Sequence, residues 1–121
     1  MKFRASSLLL ALLLGVAGAA PSGQFSLRLS YGGALVQGQV RAGGDDAIVG
    51  VWSSVGRARL LRCQPRCQAV SALPVAPLLS LGSTSAYRVV LGGEFRAGQK
   101  VGLTMRFRSG TILNTYATVQ R

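Results

Sequence analysis

Val101, Leu103, Met105 and Phe107 alternate with Thr104, Arg106 and Arg108. Period-two alternation is the mark of a strand with one buried and one solvated face. It recurs through much of the chain. Phe25, Leu27, Leu29 and Tyr31 alternate with Ser26, Arg28 and Ser30, up to Gly32-Gly33. Leu113, Thr115, Ala117 and Val119 alternate with Asn114, Tyr116 and Thr118 beyond the Ser109-Gly110 turn. Further strands are expected over residues 35–40, 47–54, 57–63, 67–71, 78–81 and 86–91, with Gly43-Gly44-Asp45-Asp46 and Gly82-Ser83-Thr84-Ser85 as turns. No helical period follows the first 20 residues. Short strands at close spacing with turn residues between them predict an all-β domain, a β-sandwich or small barrel.

The first residues follow another rule. Lys2 and Arg4 precede the apolar run Leu8–Leu14, and Ala17-Gly18-Ala19 supplies small residues. That order reads as a cleaved signal peptide over residues 1–19, leaving a domain over 20–121. The apolar run is too short for a permanent membrane helix, so the mature form is expected to have no transmembrane segment. The destination is periplasmic or secreted, an oxidising setting. Losing Lys2 and Arg4 lowers the formal charge from +11 to about +9. Only Asp45, Asp46 and Glu94 are acidic. So basic a domain is drawn to anionic surfaces: an envelope component or an acidic protein partner.

Composition removes most enzymatic chemistry. With no histidine and three acids, two of them adjacent, neither a nucleophile triad nor a carboxylate pair can be assembled. Gly92-Gly93 lacks the strand-to-helix setting of a phosphate loop. The expectation is a protein that is not an enzyme. Cys63 and Cys67 flank Gln64-Pro65-Arg66. If strands end and begin at the two cysteines, their Cβ atoms face each other at near-disulfide separation. Two readings follow: a small structural disulfide, or two thiolates gripping a soft cation such as Cu(I). Arg57, Arg59, Arg62 and Arg66 lie around this hairpin, and Arg106 and Arg108 line the polar side of the later strand. All six are candidates for binding an anionic partner. Nucleic acid is not favoured, because the aromatic residues are not interleaved with these arginines in sequence.

Two stretches resemble the periplasmic copper chaperones of the PCu(A)C family. GGDDAIVGVWSSVGRARLLRC, residues 43 to 63, is similar to that family's aspartate turn, strand, serine pair and strand ending in a metal-binding histidine. PVAPLLSLGSTSAYRVVLGGEFRAGQKVGLTMRF, residues 74 to 107, is similar to its proline-led strand, His-x-Met strand and final strand. The resemblance implies a cupredoxin-like, immunoglobulin-like β-sandwich, Cu(I) as cofactor, extracytoplasmic copper handling and a copper-accepting protein partner. Family members use two histidines and two methionines. Here Cys63 falls at the first histidine, Tyr87 and Val89 fall at the His-x-Met pair, and Cys67 lies near the remaining methionine. Valine has no donor atom and neutral tyrosine is a poor Cu(I) ligand. The resemblance thus leaves a replacement two-thiolate site, with Tyr87 and Val89 as neighbours, or a crosslinked hairpin without its metal.

Overall fold

The computed structural model describes residues 20–30 and 32–120; the signal peptide expected over residues 1–19, and Tyr31, lie outside them. The described residues form strands and no helix. In chain order the strands are β1 Ser22–Ser30, β2 Gly33–Arg41, β3 Asp46–Ser53, β4 Gly56–Arg57, β5 Arg59–Cys63, β6 Cys67–Ala69, β7 Leu73–Val75, β8 Leu78–Leu81, β9 Tyr87–Gly92, β10 Lys100–Phe107 and β11 Ile112–Val119. They pair in the order β4-β3-β10-β11-β1-β2-β8-β9-β5-β6, with β7 also on β3. The all-β expectation holds.

The sheet is curled, and Ala58 shows how. Its N–H donates to the Val51 carbonyl of β3 at 2.8 Å, and Arg57 before it pairs with Trp52. Arg59 after it pairs instead with Val90 of β9. One bent segment therefore joins the two ends of the strand order, and β7 comes to lie near β5 and β8. Strand β2 serves both halves as well: Gly33–Leu35 pairs with β9, and Gly38–Arg41 pairs with β8. Gly38 sits at that change of partner with φ of 144°, a conformation side chains avoid. A Cβ there would also run into the Gln24 carbonyl oxygen.

Curling turns one face of every long strand inward. Leu27 and Val36 pack with Ile48, Val51, Leu103, Met105 and Phe107 in a single cluster, to which β5, β7, β8 and β9 add Leu60, Val75, Leu81 and Val89. Burying each large side chain stabilises by about 1.5–3 kcal/mol. Among the described residues no polar or charged side chain is buried. Whatever chemistry they offer lies on the surface.

The structure departs from the sequence expectation in two places. The strand expected over residues 57–63 is split at Ala58, because the chain changes hydrogen-bonding partner there. Strand β7 was not foreseen, since three residues around Pro74 are too few to show a period; Pro74 nevertheless pairs with Ala47.

Candidate functional site

Cys63 and Cys67 close the β5–β6 hairpin as a disulfide, with sulfurs 2.01 Å apart and the residues directly paired. The Cys63 N–H donates to the Ala86 carbonyl at 2.6 Å. Because a strand residue's N–H and C=O point to the same side, Cys63 turns its backbone bonds toward β9. Cys63 and Cys67 are therefore a non-hydrogen-bonded pair, the kind that brings Cβ atoms closest. The hairpin geometry read from the sequence is the geometry observed.

Tyr87 and Val89 stand differently from the way the resemblance implies. Tyr87 pairs with Arg62 and Val89 with Leu60. Directly paired residues share a face, and neighbours along a strand alternate. Val89 and Leu60 face the core, so Tyr87 and Arg62 point to that same inner side, where Tyr87 packs on the core's edge. Cys63 belongs to the other face. The copper corner that the resemblance implies is not assembled: the two sulfurs are bonded to each other, Tyr87 lies on the other face of the sheet, and Val89 has no donor. These residues do not fit a Cu(I) site as they stand. Among the described residues no group of three or more His, Cys, Asp or Glu gathers elsewhere.

The arginines are also distributed more widely than their sequence spacing implies. Arg66 lies in the exposed hairpin loop and Arg59 on the outer face of β5, opposite Val90. Arg57 leaves this group altogether. Its guanidinium lies over the Trp52 ring, 5.3 Å from the ring centroid, and its Nη2 donates to the Val49 carbonyl at 3.3 Å. Arg57 thus joins Arg106, whose partner on β3 is Gly50. Aromatics and arginines are not interleaved along the sequence, yet the β3–β4 hairpin folds Arg57 onto Trp52.

The outer face of β3, β10 and β11 carries a second such pair. The Lys100 Nζ lies over the Tyr116 ring, 4.6 Å from its centroid. Each ring rests on a glycine. A Cβ on Gly50 would collide with the Trp52 ring, and one on Gly102 would come to 3.6 Å from Tyr116 Cε1. Between the two cation–ring pairs, the Thr104 hydroxyl donates to the Asn114 Oδ1 at 2.9 Å. A shallow depression of about 230 Å³ runs beside them, lined by Gly102, Thr104, Asn114 and Tyr116 among others. Cations held against rings keep their positive charge in a defined place. A face of held cations beside hydroxyl and amide groups can attract anions and hydrogen-bond neutral polar groups.

Arg108 has a different setting. Its N–H donates to the Ala47 carbonyl at 2.8 Å, placing it beside Asp46. Burial tends to raise the Asp46 carboxyl, but hydrogen bonds from Ser109 and Ala47, with the Arg108 charge, outweigh it and hold the group below its ordinary value. That carboxylate serves the fold.

No protein-family model matches this chain, and no curated protein matches it.

Proposed function

We propose that this is a binding module for an anionic envelope component, acting in the periplasm or outside the cell, and not an enzyme. One observation carries the reading: cationic side chains stand out from β1, β2, β4, β5, β9 and β10, while the three acids are Asp45, Asp46 at the very start of β3, and Glu94 in a loop. With so few acids among these cations the exterior is positive on balance and attracts a polyanion. The Cys63–Cys67 disulfide supports an oxidising compartment. Among the described residues no helix is long and apolar enough to cross a membrane. Copper handling, the function the resemblance implies, is not the reading adopted, because its donors are spent or face apart. The test is retention of the oxidised protein on an immobilised polyanion across a salt series. Binding that falls steeply with ionic strength is the expected result; no retention at low salt overturns the proposal.

A further inference from the structure

A polyanion would meet the exterior where cations are held ready for it. The outer face of β3, β10 and β11 holds two of its cations against aromatic rings, whereas Arg28 and Arg88 on other strands are held only by hydrogen bonds to Ser83 and Ser85. Arg57 is held by the Trp52 ring and the Val49 carbonyl, and Lys100 by the Tyr116 ring. Holding a flexible cation in advance reduces the ordering that binding must impose. By contrast, Arg59 has Val90 opposite it and no ring beneath it.

The spacing selects an extended ligand. Lys100 and Arg106 are six residues apart on one strand, about 20 Å at the usual rise, and Trp52 and Tyr116 are two strands apart, about 10 Å laterally. A small anion can meet one of these cations; a chain with repeated charges can meet all three. Between them the Thr104–Asn114 pair leaves hydroxyl lone pairs and amide hydrogens for neutral polar groups. That combination, separated cations of which Arg57 and Lys100 are held in place, with hydroxyl- and amide-bearing residues between, suits a sugar chain. It suits single-stranded nucleic acid less well. Base stacking needs open ring faces, and the Trp52 ring already carries a guanidinium and lies against Gly50.

We infer that this face binds a linear anionic polysaccharide, whose charged groups pair with Arg57, Lys100 and Arg106 while sugar hydroxyls meet Thr104 and Asn114. The inference rests on the anion-binding function proposed above and assigns it a place and a ligand class. Trp52 is the only tryptophan in the chain, so its emission reports directly on the face.

The experiment titrates the oxidised full chain with alginate oligomers while following Trp52 fluorescence, with oligothymidylate and neutral dextran as comparisons. Four proteins are measured: wild type, Tyr116→Ala, Arg106→Ala and Arg59→Ala. Arg59→Ala removes one charge just as Arg106→Ala does, but from another face. Tyr116 is 65% exposed, so its replacement leaves the core untouched, and melting curves verify this. The expected result is a saturable emission change with alginate and none with dextran. Tyr116→Ala and Arg106→Ala should each weaken binding about threefold or more, and Arg59→Ala less than about twofold. Equal weakening by Arg59→Ala and Arg106→Ala, with Tyr116→Ala unaffected, overturns the face while leaving anion binding intact. Tighter binding of oligothymidylate than of alginate overturns the ligand class. If wild type binds no polyanion at low salt, the function itself falls.

Discussion

The Ser109 hydroxyl donates to the Asp46 Oδ2 across 2.7 Å, tying together residues 63 positions apart. The other carboxylate oxygen accepts from the Ala47 N–H at 2.8 Å and the Ser109 N–H at 3.2 Å. Three bonds converge on one ionised group, and they fasten the start of β3 to the turn between β10 and β11.

Stability should therefore depend on pH through Asp46. Its folded carboxyl is held below the ordinary 3.8, so above that value the folded state gains from the ionised form. The gain is complete at neutral pH and is lost as pH falls through the lowered folded value. Asp46→Asn should cost about 1–2 kcal/mol at pH 7, and less once the medium is more acid than about pH 4. Urea unfolding of both proteins at the two pH values measures this. A deficit of equal size at both would show that the charge is not responsible.

The disulfide closes a very short loop, so removing it should be mild. The Cys63→Ser, Cys67→Ser double variant is expected to fold with a loss of about 2 kcal/mol, the low end of the usual range. Thiol titration of untreated wild type should find no free sulfhydryl. The same oxidised protein should not compete with a chelator for Cu(I), since neither sulfur is a thiolate. Stoichiometric Cu(I) capture without reductant would restore the copper reading.

Gly33 is the tightest point of the β2–β9 pairing. A Cβ there would run into the Leu91 carbonyl oxygen, and a backbone atom in a paired strand cannot swing aside. Gly33→Ala should lower stability by about 2–3 kcal/mol, visible as an earlier thermal transition. Gly44→Ala makes the control, because nothing lies near its added carbon.

Phe107 anchors the core beside a register shift in the β3–β10 pairing and is 1% exposed. Phe107→Ala should cost about 3–5 kcal/mol. Ile112→Ala removes a side chain of which 53% is already in solvent and should stay within about 0.5 kcal/mol of wild type. Chemical denaturation of the two variants checks the contrast.

The alternation of Val101 to Phe107 with its polar neighbours was enough to assign β10 and its inward face, because each side chain's position along a strand determines its side. The Cys63–Cys67 hairpin was legible for the same reason: strand ends and a three-residue loop leave few arrangements. What the sequence does not carry is the choice of partner. Arg57 and Arg59 are two residues apart with the same parity, and nothing in that spacing says that one stacks on Trp52 of β3 while the other faces Val90 of β9. The change occurs at Ala58, a residue with no turn chemistry of its own. The Lys100–Tyr116 pair likewise depends on how β11 lies against β10. Family-like spacing does not reveal that Tyr87 pairs with Arg62, which leaves neighbouring Cys63 on the other side of the sheet.

Ala58 also governs how the molecule comes apart. An open ribbon of strands can shed its outermost member and keep the rest, whereas here the Ala58 segment ties strands from opposite sides of the order together. The peptide that seats Arg57 beside Trp52 continues directly into the one that seats Arg59 beside Val90, so freeing either strand slackens the other. Amide protons of β3 and β9, distant in sequence, should then exchange with solvent through shared openings, which hydrogen exchange on the intact protein would read.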